Sequence, residues 1–366
     1  MHKQSSAGLA LAMALALSGC ATLAPRGNEV APSIPSQWPT TQSTGGTGQA
    51  RVVTDVADIG WRAFFPDPRL QAVITQSLDN NRDLRVAALN VVRARAQYRI
   101  QRADRVPSFN VQGQMTRTGG DAPVSEQYSA NLGVAEFELD LFGRVRNLGE
   151  AALQKYFAET ENRRGAQLSL VAEVANAWLT LGADREQLRI AQATLAAHED
   201  SLRLIEARHQ RGGSSALDVS QARTLVETAR IDVARFTGQV AQDRNALALL
   251  AGGPVDEALL PRDNLADIAA LRPLPAGLPG DVLLRRPDVM AAEHLLLSAN
   301  ANVGAARAAF FPSIQLTGAV GSASPELSGL FDGGTRAWSF VPRITLPIFQ
   351  GGRLRANLGM ATADQD

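Results

Sequence analysis

Three features of the sequence predict a mixed fold in which long antiparallel coiled-coil helices carry four β-strands. Proline is absent from residues 124–253, although the chain holds 18 prolines. Four short segments alternate apolar and polar residues, and one order of elements is written twice. Each feature has a physical reason.

Proline removes a helix hydrogen bond and clashes with the preceding turn. At ordinary usage about six prolines belong in a run as long as 124–253. Their exclusion, with Ala, Leu, Arg, Gln and Glu in excess, predicts helix after a strand-like start. The run is broken once, at Arg211-Gly212-Gly213-Ser214-Ser215, where two glycines end a helix and serine suits the next N-cap. Residues 143–210 then form one helix of ~100 Å and residues 216–251 another of ~54 Å. Such lengths imply an antiparallel hairpin with its tip at Gly212 and Gly213. An earlier helix over 69–105, of ~55 Å, completes the expected set, a rod in which one long helix lies beside two stacked shorter ones. Acidic residues on these helices read as solvated i,i+4 partners, as at Asp184 and at Glu199 with Arg203.

The strands follow from alternation. Phe109, Val111, Gly113 and Met115 alternate with Asn110, Gln112, Gln114 and Thr116. Tyr128, Ala130, Leu132 and Val134 continue the pattern, which then shifts parity to Phe137, Leu139 and Leu141. A parity shift predicts a bulge or a change of environment. Ile314, Leu316, Gly318 and Val320 form a third set, and Trp338, Phe340, Ile344, Leu346 and Ile348 a fourth. Two hairpins of about ten residues per strand have the length that crosses a bilayer when tilted, though a sandwich with one wet face alternates in the same way. Four strands cannot close a barrel, so spanning requires several chains to share one.

Pro107-Ser108-Phe109 returns as Pro312-Ser313-Ile314, each time after an Ala/Arg-rich helix and before a second strand. Phe142-Gly143-Arg144 is answered by Phe349 with Gly352-Arg353. The second copy reaches Asp366 as its long helix begins, and the logic of matched repeats would carry it roughly 90 residues further. The reading is therefore of a C-terminally truncated chain, the other possibility being a shortened variant.

At the N-terminus a basic start at Lys3 precedes an Ala/Leu-rich stretch from Ala7 to Leu17, then Leu17-Ser18-Gly19-Cys20. This resembles a bacterial lipobox, in which Cys20 is acylated, rather than a lone cysteine behind an ordinary export signal. Ala21 after the cysteine fits sorting to the outer membrane. Residues 21–54, rich in Pro, Ser, Thr, Gly and Gln, read as an extended tether.

Composition narrows the function. Basic and acidic residues balance at 36 each, which gives no footprint for nucleic acid. One cysteine excludes an internal disulfide, and His2, His198, His209 and His294 lack metal-ligand spacing. No nucleophile elbow, phosphate loop, zinc-protease or dinucleotide signature is present, so no catalytic residues, metal or cofactor are expected.

Gly60-Trp61-Arg62, Phe65-Pro66-Asp67-Pro68-Arg69-Leu70, Asn81-Arg82-Asp83-Leu84 and Leu284-Arg285-Arg286-Pro287-Asp288-Val289 resemble TolC-type outer-membrane efflux factors, in particular the NodT-type lipoprotein branch. Residues 305–313, Leu346-Pro347-Ile348-Phe349 and Gly351-Gly352-Arg353 complete the resemblance, which covers about 15–360. It implies a homotrimer. Each protomer would give four transmembrane strands to a twelve-stranded barrel and its helices to a periplasmic α-barrel. Substrate would come from an inner-membrane RND-type pump through a periplasmic adaptor. The adaptor would grip Arg211, Gly212, Gly213, Ser214, Ser215, Ala216 and Leu217. Asp218 matches a periplasmic constriction, although a carboxylate at a helix start is favoured there in any case.

The expected organisation is a lipoprotein signal at 1–20, the tether at 21–54 and a first repeat at 55–286. That repeat holds the hairpin 107–141, the tip 211–217 and a linker 254–286. An incomplete second repeat fills 287–366 with the hairpin 312–348. The function implied is a passive exit duct for drugs or other small molecules. The alternatives are a fragment without function, or a conduit for metal-ion efflux or type I protein secretion.

Overall fold

The computed structural model describes residues 23–25, 59–121, 123–262 and 280–366. The expected signal at 1–20, most of the tether and the middle of the linker lie outside the described residues. The elements run α1 Trp61–Phe64, α2 Pro68–Asn80, α3 Arg82–Ala103, β1 Phe109–Thr118, β2 Ser125–Leu139, α4 Arg144–Gln210 and α5 Ala216–Leu250. Short 3-10 turns at Glu257–Leu259 and Gly280–Arg285 lead to α6 Pro287–Ala308, β3 Ser313–Ser324, β4 Arg336–Thr345 and α7 Arg353–Ala363. Helices and strands thus fall close to where proline and alternation predict them, although β2 and β4 end at Leu139 and Thr345, short of the expected Leu141 and of Leu346 and Ile348. One correction is needed, because the single helix expected over 69–105 is two. Asn81 sits between α2 and α3 with extended backbone, and its Oδ1 accepts from the N–H groups of Asp83 and Leu84 at 2.9 Å each. It is the N-cap of α3, and a capping side chain outcompetes helix continuation at that point.

The chain forms two compact units that cut across the sequence copies. One comprises residues 1–32, 90–161 and 290–366, the other 33–89 and 162–289.

The first unit carries the sheet. Its order is β1-β2-β3-β4, antiparallel throughout, so the two hairpins join through β2 and β3. The parity shift in β2 is a bulge. Val134 pairs with Gly318 and Phe137 with Leu316, leaving one extra residue in β2. Glu136 takes a positive φ of 52° there, and its N–H donates to Thr317 Oγ1 at 3.2 Å. The extra residue keeps Phe137 and Leu139 on the face already occupied by Val134 and Leu132. Below the sheet, α6 packs on the start of α4. Ser298 donates to the Ala151 carbonyl at 3.0 Å, and His294 meets Gln154 at 2.7 Å.

The second unit has its own core. Val73 and Ile74 of α2, Val174, Trp178 and Leu181 of α4, and Leu247 of α5 are fully buried. Trp178 Nε1 donates to the Leu259 carbonyl at 2.9 Å, which satisfies the buried indole. Asp67 caps α2 through Oδ1, with Pro68 at the first helical position. Burial pushes the Asp67 carboxyl up, but hydrogen bonds from Arg69 outweigh this and hold it below its ordinary value. The carbonyl of Leu250, at the end of α5, accepts from Ser77 Oγ at 2.8 Å and Asn81 Nδ2 at 3.0 Å. A helix end that would otherwise lack partners is thereby closed.

Candidate functional site

The sheet separates two chemistries. One face aligns Val111, Leu132, Val320 and Trp338 across the four strands, and Phe109, Val134, Gly318 and Phe340 beside them. Val111, Trp338, Ile344 and Phe109 are exposed at 81%, 77%, 68% and 71%. A contiguous apolar face of this size has no place against water. The other face holds Gln114, Thr116, Gln127, Ser129, Asn131 and Ser339, which line a hollow of about 290 Å³. Apolar on one side, with Arg117, Glu126 and Arg336 only towards its rim, and mainly neutral polar on the other, with Glu138 and Arg343 in the row of Gln315, is the pattern of a strand between lipid and a wet lumen.

Where the strands meet the helices, Glu138 and Arg144 form a close bidentate pair. Asp140 accepts from the N–H groups of Val145 at 3.1 Å and Arg146 at 2.7 Å, capping α4. Phe142 stacks on Phe311 with centroids 4.7 Å apart. The repeated aromatic-Gly-Arg motif is thus a joint in which strand turns to helix. The cap itself comes from Asp140, outside the motif, and in the second copy Gly352 opens α7 with no side-chain cap.

In the second unit the hairpin tip forms where the double glycine predicts it. Gly212 has φ +79°, a left-handed turn that glycine adopts without strain. The N–H groups of Gly212 and Gly213 donate to the carbonyls of His209 at 2.9 Å and Arg208 at 2.8 Å, closing α4. Ser215 opens α5 with a capping box. Asp218 N–H donates to Ser215 Oγ at 3.1 Å, and Ser215 N–H donates to Asp218 Oδ2 at 2.9 Å. The backbone N–H of Ser215 lowers the Asp218 carboxyl below its ordinary value. The tip residues Arg211, Gly212, Gly213, Ser215, Ala216 and Leu217 are exposed, and Ser214 is half-buried. Behind them His198, Ser201, Ile205 and Leu225 line a groove of about 310 Å³ that Asp218 also borders. Cys20 lies outside the described residues.

The acidic residues of the hairpin correct the i,i+4 expectation. Glu199 binds Arg230 across the hairpin at 3.1 Å, while Arg203 pairs with Asp200. Asp184 faces Asp243, not a residue on its own helix. Burial first, and then the neighbouring Asp184, push the Asp243 carboxyl up to about 6. Beside them Glu257 bridges Arg185 and Arg244. Pairs three apart on one helix, such as Asp200 with Arg203, replace the expected spacing of four, and partners on different helices leave no local spacing to read. Among the described residues no group of three or more metal-ligating side chains occurs, and no helix is long and apolar enough to cross a membrane.

The family model described as outer membrane efflux protein matches residues 73–253 and 278–366. The chain is 47% identical over 372 residues to the toluene efflux pump outer membrane protein TtgF of Pseudomonas putida, covering 98% of this chain and 76% of that one. A membrane protein structure from Pseudomonas aeruginosa superposes with a TM-score of 0.86 at 42% identity, over 94% of this chain and 78% of that one. The open state of the Neisseria gonorrhoeae outer membrane channel MtrE gives a TM-score of 0.80 at 41% identity, over 94% and 76%.

Proposed function

The chain belongs to the outer membrane efflux protein family, and from that premise we propose that it forms, as a homotrimer, the exit duct of a tripartite pump. Its place is the outer membrane and its role is that of an efflux channel component. The observation that carries the trimer is the open sheet. β1 and β4 are its edges, four strands cannot close, and both edge strands carry large apolar side chains outward. Three copies supply twelve strands to one barrel. The apolar face meets lipid and the Gln/Ser/Asn face lines the lumen.

The duct performs no chemistry. From Asn110 to Thr116 the residues of the wet face are neutral, so this stretch offers hydrogen bonds and no charge filter. Such a lumen suits drugs and other small organic molecules. TtgF is named for toluene efflux, which favours that class over metal ions or secreted proteins. The exposed tip from Arg211 to Leu217 receives the periplasmic adaptor of an RND-type inner-membrane pump. Asp218 braces that tip through Ser215, and a role at a constriction requires its carboxylate to leave the capping box. Acylation at Cys20 holds the N-terminus in the outer-membrane lipid.

Native mass spectrometry of the protein extracted from outer membranes in mild detergent tests the assembly. Three acylated subunits are expected, and a monomer overturns the shared barrel. Adaptor cross-linking that survives Gly212→Ala with Gly213→Ala removes the tip from the contact.

A further inference from the structure

Residues 23–25 lie against α6 in the strand-bearing unit, and two features of α6 meet them. An ideal Cβ at Gly304 would stand 2.8 Å from both Cα and N of Ala24, where no side chain fits. Arg307 Nη1 donates to the Leu23 carbonyl at 3.2 Å. Glycine inside a helix is unfavourable relative to alanine, and α6 otherwise uses alanine freely. Gly238 and Gly359, in other helices, face open space. Gly304 instead marks the crossing of another stretch of backbone, with buried Asn147 closing the notch from α4. A segment read as a free tether is therefore seated just after its start.

We propose that Gly304 and Arg307 form a seat for residues 23–25 that fixes the lipid-bearing end of the chain beside the foot of the sheet. The inference rests on the acylation reading of Cys20. Leu23 follows Cys20 by three residue steps, a reach of at most about 11 Å. Arg307 stands at the last turn of α6, and β3 starts at Ser313. The seat thus joins the two membrane-bound parts of one unit, the acyl chains and the strands. A short fixed link keeps the effective concentration of the strands at the membrane high, and a loose one spends it on chain entropy. The anchor accordingly sets the height of the sheet in the membrane as well as retaining the protein there.

Trypsin reads the seat on the full acylated protein in detergent. The Arg26–Gly27 bond adjoins the seat, and a protease must lift residues 23–25 to cut it. The Arg51–Val52 bond serves as reference. Cleavage at Arg26 relative to Arg51 is expected to rise about 10-fold in Gly304→Val, and about 3-fold in Arg307→Gln, which removes one hydrogen bond from an exposed side chain. Arg307→Gln decides the matter if Gly304→Val disturbs α6. An unchanged ratio in Arg307→Gln together with an unchanged or unmeasurable one in Gly304→Val overturns the seat. Intact mass separates the two readings. Protection at Arg26 in a wild-type chain without acyl mass overturns the anchoring role and the lipid reading together, while the contact itself stands.

Discussion

Trp178 and Trp338 place the same indole in the two units, and only one of them is covered. Trp178 is fully buried among α2, α4 and α5 and gives its N–H to a carbonyl. Trp338 stands 77% exposed on the apolar face of β4. The helical unit closes a core around Trp178 within its own chain, although Ile231 and Leu249 stay exposed on its helices, and the sheet leaves its largest apolar side chains for other molecules to cover. Stability of the first is therefore a property of the sequence, and stability of the second is a property of the assembly.

Substitution at these two positions breaks the comparison most sharply. Trp178→Ala is expected to cost about 3–5 kcal/mol, the range for emptying a large aromatic site, and to lower the melting of the helical unit in any environment. Trp338→Ala removes little buried area in an isolated chain, so its cost there stays within about 0.5 kcal/mol. In membranes the same change should lower trimer yield. Thermal unfolding followed by circular dichroism, with and without lipid, distinguishes the two. Equal costs in detergent would show that the sheet buries Trp338 within one chain.

The next largest effect concerns pH. Folding raises the Asp243 carboxyl from 3.8 to about 6, through burial and then Asp184. The folded unit thus binds more protons than the unfolded chain between these values. This contribution is complete below the unfolded value and is lost as pH rises through about 6. Asp243→Asn should stabilise the hairpin at pH 7.5 by about 1 kcal/mol, after allowance for solvent screening, and give nothing at pH 4. Asp67 has the opposite sign. Its depressed carboxyl stabilises above the ordinary carboxylate range, and that gain is lost as pH falls through its folded value. A melting profile against pH that stays parallel for wild type and Asp243→Asn would show that folding does not raise the Asp243 carboxyl.

The capping box sharpens the comparison at smaller scale. Ser215→Ala should cost about 1 kcal/mol, confined to the first turn of α5. Hydrogen exchange of residues 216–219 is the readout, and faster exchange should leave the core around Trp178 unchanged. Spread of the effect to Val174 or Leu247 would mean that tip and core unfold together.

Local rules made much of this legible and failed where partners are distant. The proline-free run located α4 and α5 because one residue type is incompatible with helix interiors. Gly212 and Gly213 located the tip because few residues accept a left-handed turn. Alternation separated the two faces of each strand, and the parity shift located the bulge at Glu136. It could not reveal that β2 pairs with β3, since pairing depends on residues nearly two hundred positions apart. The break at Asn81 was hidden because asparagine inside a helical pattern and asparagine at a cap are the same letter. Asp184 was assigned to its own helix for a related reason. Its true neighbour, Asp243, lies on the returning arm of the hairpin, and spacing along one helix carries no record of that.

The smallest effect falls on the ion pairs that cross the hairpin. Arg223 meets Glu206 and Arg230 meets Glu199, each at 3.1 Å. All four side chains are substantially exposed, so water competes for every charge and each pair is worth about 0.2–1 kcal/mol. Their value is in register, because a shift of either arm by one turn would part both pairs at once. A double-mutant cycle on Arg223 and Glu206 should return a coupling below about 0.5 kcal/mol that vanishes in molar salt, where the screening length falls to about 3 Å. Coupling that persists in salt would show the pair shielded from water, as a surface packed against another helix in the assembled tunnel would be. The hairpin would then resemble the sheet, completed by its neighbours and not by itself.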